Sequence, residues 1–202
     1  EVPGLAWKEG DEVRKNPLPP PICDLDSIPV PDFTLIERKK KKFSIFREKV
    51  PVQTSRGCPF DCNFCSVTEM FGKKYRFRST DHIISEISQY DPKKHVLFFY
   101  DDNFTANKKR AKELLQRMID LNLGFTWSTQ ARCDIARDPE LLDMMKEAGC
   151  QTLYIGFESV DPQSLEELKK KQTVDDIVFA IDEIRKRKIH IHGMFMMGTD
   201  SD

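Results

Sequence analysis

A chain of 202 residues, 39% hydrophobic and 32% charged, has room for one sizeable core, or one core and a tail, in an ordinary globular composition. Its 32 basic and 33 acidic residues leave a formal net charge of −1, so no global electrostatic argument for nucleic acid or an anionic membrane follows. The apolar run 96–100 is far too short to span a bilayer, no charged-then-apolar leader opens the sequence, and Cys58, Cys62 and Cys65 cluster while Cys23, Cys133 and Cys150 are scattered. Together these features predict a metal or redox site in a reducing compartment, with the cytoplasm as the default, rather than a disulfide framework. A start at Glu1 and a finish soon after a strand-like segment lead to the expectation of a piece of a longer polypeptide.

Residues 1–49 hold seven of the twelve prolines, including Pro19, Pro20, Pro21, Pro29 and Pro31, and no helical period survives among them. The segment reads as an extended linker or a strap over a neighbouring domain. The run Arg38-Lys39-Lys40-Lys41-Lys42 reads as a solvated turn, with a phosphate or acidic-partner contact as the sharper alternative. From residue 50 to 202 strands and helices alternate, with strands expected over 50–56, 95–100, 125–130, 152–157 and 189–197. Thr80 is the expected cap of a helix carrying Ile83, Ile84 and Ile87, and Asn107 of one carrying Ala111, Leu114, Leu115, Met118 and Ile119. Asp138-Pro139-Glu140 combines a cap, a proline in the first turn and an acid at the positive dipole end. That helix should present Leu141, Leu142, Met144 and Met145 and stop at Gly149. Asp161-Pro162 repeats the signal, and Thr173 opens a longer helix through Ile177, Ile181 and Ile184.

Alternation of this kind predicts an α/β fold of parallel strands joined by right-handed crossovers. The third strand has an apolar face (Phe125, Trp127, Thr129, Ala131) and a polar one (Thr126, Ser128, Gln130, Arg132). A doubly wound sheet would bury both faces under helices. One polar face suits a partial (β/α) barrel with a ligand-filled interior, about five βα units of it visible.

The segment Ser55-Arg56-Gly57-Cys58-Pro59-Phe60-Asp61-Cys62-Asn63-Phe64-Cys65 follows the first strand, where barrel enzymes place their chemistry. Three thiolates spaced C-x3-C-x2-C can hold three irons of a cubane and leave the fourth with an open position. Two plainer readings stand beside this: buried cysteines on one helix face, or a structural zinc site completed by His82 or a distant cysteine. Gly57, Pro59, Asp61 and Asn63 make a poor helix interior, and Cys133 and Cys150 read as small packing residues.

With an aromatic residue directly before the third cysteine, the motif resembles that of the radical S-adenosylmethionine (SAM) superfamily. The resemblance implies a [4Fe–4S] cluster on Cys58, Cys62 and Cys65 whose open iron chelates SAM, and reductive cleavage to a 5′-deoxyadenosyl radical. It further implies Phe64 near the adenine and an acid after the second strand, Asp101 or Asp102, at the SAM amino group; which of their faces points inward stays open. Arg132 would meet the methionyl carboxylate, its plain alternative being a pair with Asp134. Glu158, on the strand face of Tyr154 and Gly156, would bind the ribose hydroxyls, and the segment 193–198 with Met196 would form an adenine shelf. Core packing is the plain alternative for Met194, Met196 and Met197; His190 and His192 share a face without an assigned role, and no catalytic residue is assigned.

Pro3-Gly4-Leu5, the segment 24–33, the segment 54–60 and Tyr75-Arg76-Phe77-Arg78-Ser79 resemble the subgroup in which a connector follows a cobalamin-binding domain. This implies a cobalamin domain outside the chain, a reducing partner such as flavodoxin or ferredoxin, and methylation of a small-molecule, lipid or natural-product substrate. The alternatives are a cobalamin-independent methylthiotransferase-like or oxidative enzyme, and a non-catalytic iron–sulfur or zinc module. A barrel stopping at its fifth strand is expected to expose an edge and to lack much of what an active enzyme needs.

Overall fold

The computed structural model describes residues 2–35, 47–199 and 201, so the basic run from Arg38 to Lys42 lies outside the described residues. Strands β1 (Ala6–Glu9) and β2 (Glu12–Lys15) pair antiparallel with Glu9 opposite Glu12. This corrects the expectation of a wholly extended linker. Gly10, at φ +62°, takes the first position of a two-residue turn, a conformation open to glycine and costly for other residues. Beyond the hairpin the proline-rich chain does run as a strap. Asp24 caps the short 3-10 turn Leu25–Ser27, and Leu25 is 1% exposed. Arg76 Nη1 donates to the Ile22 carbonyl at 2.7 Å, and Asp26 accepts the Ser79 N–H at 2.9 Å.

The principal sheet contains β3 (Glu48–Val52), β6 (His95–Phe99), β7 (Trp127–Ala131), β8 (Cys150–Glu158) and β9 (His190–Phe195). These strands are parallel and neighbour one another in chain order, β3-β6-β7-β8-β9. A doubly wound sheet reverses its direction of growth at a switch point. Continuous one-way growth gives the partial barrel. The expected first strand over 50–56 is broken: β3 ends at Val52, and β4 (Ser55–Arg56) leaves to pair antiparallel with β5 (Arg76–Phe77).

Among the described residues six α-helices fill the crossovers: α1 (Val67–Phe71), α2 (Thr80–Ile87), α3 (Lys108–Asp120), α4 (Pro139–Glu147), α5 (Pro162–Glu167) and α6 (Val174–Lys186). Asn107, Asp138, Asp161 and Thr173 each cap the helix that follows through a side-chain oxygen, and Thr173 and Asp176 form a reciprocal capping box. At α2 the cap is Ser79 rather than Thr80. Its side chain accepts the His82 N–H at 3.1 Å, while the Thr80 hydroxyl donates to Glu113. Among the described residues no helix is long and apolar enough to cross a membrane.

The two faces of the sheet differ as strand parity requires. Val50, Val52, Leu97, Phe99, Trp127, Leu153, Ile155 and Phe157 join one hydrophobic cluster with Ile83, Leu114, Leu115, Leu141, Met145, Ile177 and Ile184 of the helices. On the other face the aromatic rings of Phe98, Tyr154 and His192 stand in succession, with centroids 5.5 and 4.8 Å apart, and Lys49 lies over Phe98. Gly149 lies between α4 and β8 at φ +95°, where an added Cβ would lie 2.1 Å from the Phe125 carbonyl oxygen. Gly149→Ala therefore combines backbone strain with a clash against main chain, and chemical denaturation is expected to register a loss of at least about 2 kcal/mol.

Candidate functional site

A cavity of about 180 Å³ opens at the C-terminal ends of β6, β7 and β8, lined by Cys58, Cys62 and Cys65 together with Phe64, Asp102, Arg132, Gly156, Glu158, Lys170 and Met194. The cysteine segment is irregular rather than helical, which removes the reading of cysteines on one helix face. Its path is held at three points. Gly57 takes φ +94°, and a Cβ there would come within 2.7 Å of the Lys74 carbonyl. The Cys65 N–H closes a turn onto the Cys62 carbonyl at 3.2 Å, and the Asn63 amide donates to the Glu167 carbonyl at the end of α5 at 2.6 Å. The three thiols are free and partly exposed. Burial pushes the Cys58 thiol up, opposed by the Phe60 backbone N–H and the Arg132 guanidinium.

After β6 the two adjacent acids separate. Asp101 is fully buried and accepts from the Thr54 N–H (2.7 Å), the Thr54 hydroxyl and the Ser55 N–H (2.6 Å). These bonds draw residues 54 and 55 away from the main sheet, which is why β3 stops early. Burial pushes the Asp101 carboxyl up, against its hydrogen bonds and the nearby Arg110. The Tyr75 hydroxyl, donating to the Asn103 carbonyl and accepting from Ser55 at 3.1 Å, ties the same loops together. Asp101 thus lies beneath the cavity, and Asp102 is the acid of the pair that lines it. Burial first, and the neighbouring Asp101 second, push the Asp102 carboxyl up. Asp101→Ala would strand the buried donors of Thr54 and Ser55, so its unfolding free energy is expected to fall by about 3 kcal/mol in urea titrations.

The ends of β7 and β8 supply the charged side chains. Arg132 does not turn to Asp134. Its Nη2 donates to the Lys170 carbonyl, its Nη1 reaches Cys62 Sγ at 3.7 Å, and its guanidinium lies 4.0 Å from the Phe60 ring centroid. Arg132 Nε is buried with no partner. Glu158 adopts φ +64° at a register shift between β8 and β9, and its carboxylate folds back over Gly156, where a Cβ would lie 2.1 Å from Glu158 Oε1. Glu158 pairs with Lys170 Nζ at 2.7 Å, both side chains being nearly buried. Met194 lines the cavity, whereas the partly buried Met196 is tied by its backbone N–H to the Glu158 carbonyl at 2.8 Å.

Sequence reasoning missed Lys170. It sits in Lys169-Lys170-Lys171, which has the look of a solvated run, yet it is 7% exposed and lies 5.6 Å from the Phe64 ring centroid. The left-handed backbone of Lys169 and Lys171, φ +52° and +53°, turns the chain so that only the middle lysine enters the site. The latch made by Asp101 and Tyr75 was missed as well, having no local sequence signal.

Three thiols around one cavity, with a buried cation and an unpartnered donor beside them, fit a three-thiolate cluster with an attached zwitterionic ligand in kind and in place. A tetrahedral zinc site fits less well. Ligand bonds of about 2.3 Å would need four donors drawn onto one ion, one more than the three thiols supply. His82, considered as a fourth ligand, lies 3.1 Å from Asp26 on the strap side.

Residues 52–202 match the family model described as the Radical SAM superfamily. An uncharacterised methyltransferase of Pyrococcus horikoshii is 37% identical over 96% of this chain and 42% of its own length. A bacteriochlorophyllide d C-12(1)-methyltransferase of Chlorobaculum tepidum is 32% identical over 85% of this chain and 38% of its own. The chain therefore spans less than half the length of these relatives. In fold it resembles the cobalamin-dependent S-adenosylmethionine radical enzyme OxsB, with a TM-score of 0.78 at 19% identity, over 98% of this chain and 30% of that one.

Proposed function

Since the chain belongs to the radical SAM superfamily, we propose that Cys58, Cys62 and Cys65 hold a [4Fe–4S] cluster and that the cavity beside them binds SAM for cobalamin-dependent methylation of a small-molecule or lipid substrate. When bound, cluster and nucleoside supply one-electron reductive cleavage to a 5′-deoxyadenosyl radical, with a flavodoxin- or ferredoxin-like donor as the source of the electron. The observation that carries this reading is the meeting of three thiols and the Glu158–Lys170 pair in one cavity at the strand ends.

Each residue's share follows from its charge and position. SAM brings an ammonium, a carboxylate, a sulfonium and two ribose hydroxyls. Asp102 is the acid available to the ammonium, and the unpartnered Arg132 Nε is a donor for the carboxylate. Glu158 accepts from the ribose hydroxyls, with Lys170 neutralising it in the meantime. Gly156 leaves the room over β8 that the Glu158 carboxylate occupies. Phe64 and Met194 flank the adenine, and Met196 offers backbone near them; Asp101 serves from beneath by holding the entry to the cysteine loop. The cobalamin part of the reading draws on the likeness to OxsB, which extends over the hairpin and the strap, and it assigns cobalamin to a domain outside these residues.

The test is anaerobic iron–sulfur reconstitution of the full-length protein, then dithionite reduction with SAM and assay for 5′-deoxyadenosine. Product that depends on all three cysteines is the expected result. A stable cluster without product would favour electron transfer, and zinc in place of iron would overturn the reading.

A further inference from the structure

Arg132 is a buried cation with an unusual set of partners. Among the described residues no carboxylate forms an ion pair with it, although removal of a guanidinium from water ordinarily requires a compensating anion. Its fork is spent instead on a carbonyl and a sulfur: Nη2 on Lys170, and Nη1 on Cys62 Sγ at 3.7 Å. The Phe60 ring, 4.0 Å from the guanidinium carbon, holds the plane of the group against the cysteine loop. One rigid cation thus reaches a motif thiol directly, and an anion at that sulfur would complete its surroundings.

We infer that Arg132 is the residue that tunes and positions the cluster, donating an N–H···S hydrogen bond to the Cys62 ligand and raising the potential at which the cluster accepts its electron. The inference rests on the cluster assignment above. Its physical basis is the charge balance of reduction. One electron from an external donor enters the cluster without a proton, adding one unit of negative charge, and a fixed cation at a ligand sulfur stabilises the reduced form more than the oxidised one. Because Nη2 anchors to the backbone of Lys170, whose ammonium pairs with Glu158, Arg132 also joins the cysteine loop to the far wall of the cavity.

The experiment is a redox titration of the reconstituted full-length protein, followed by electron paramagnetic resonance, for wild type, Arg132→Gln and Arg132→Lys, with iron and sulfide content measured in parallel. Arg132→Gln is expected to keep its cluster and to be reduced about tenfold less favourably, a fall of about 59 mV for a one-electron couple. Arg132→Lys keeps the charge but cannot span the Lys170 carbonyl and Cys62 together, so its midpoint should lie between the two. A midpoint equal to wild type in a variant that retains its cluster overturns the inference. If Arg132→Gln takes up no iron, the lysine variant decides alone. Wild-type protein that takes up no cluster would instead sink the cluster assignment, an outcome recognisable from the iron content alone.

Discussion

Cys62→Ala is expected to abolish the iron–sulfur cluster while the strand–helix core stays folded. Cys62 lies on an irregular loop, partly exposed, and none of the three motif cysteines belongs to the hydrophobic cluster that joins sheet and helices. Its removal leaves two thiols for a group that needs three, and takes the acceptor from Arg132 Nη1. The scattered cysteines cannot replace it. Burial pushes the Cys133 thiol up to about 11 and the Cys150 thiol up to about 12, so both remain protonated core side chains. Iron and sulfide analysis with visible absorbance, set against circular dichroism, makes the comparison. Retained cluster absorbance in the variant would strike Cys62 from the ligand set.

Glu158→Gln is expected to weaken SAM binding by about tenfold to a hundredfold, the range for losing a hydrogen bond to a charged group, without loss of iron. The substitution keeps the volume and the left-handed backbone position at φ +64°, and changes only the charge held over Gly156. Lys170 then faces a neutral amide in a nearly buried setting, so part of the weakening comes through a displaced ammonium. Equilibrium dialysis of labelled SAM against reconstituted protein measures this directly. Unchanged affinity would remove Glu158 from the site.

What could be read from the sequence was governed by how local the physics is. The caps at Asn107, Asp138, Asp161 and Thr173 involve a side chain and a backbone N–H three residues apart, so their signal is wholly contained in a short window. At Ser79-Thr80 two adjacent hydroxyls offered the same signal, and the contact of Thr80 with Glu113 on another helix separated them. Strand parity was equally legible: Tyr154, Gly156 and Glu158 line the cavity while Leu153, Ile155 and Phe157 enter the core. Parity could not orient Asp101 and Asp102, because the chain leaves the regular strand at Phe99. Their separation depends on Thr54 and Ser55, some 46 residues away in the chain. Lys170 was illegible for a related reason, its burial arising from an ion pair with a residue of β8.

The five-stranded sheet also has a gradient of protection. β8 is paired on both sides, to β7 and β9, whereas β9 among the described residues is paired to β8 alone. Most side chains of β9 are exposed, and Met194 on that strand forms one wall of the cavity. Local opening draws on elements with few hydrogen-bonded neighbours and little burial, so amide exchange should run fast in the exposed edge strand β9 and slowly in the doubly paired β6, β7 and β8. Arg132 and Glu158, at the ends of β7 and β8, would then report from a slowly exchanging body, while the methionine wall yields first. A nucleoside entering the cavity would be gripped on one side by a rigid charged frame and adjusted to on the other by a strand able to give.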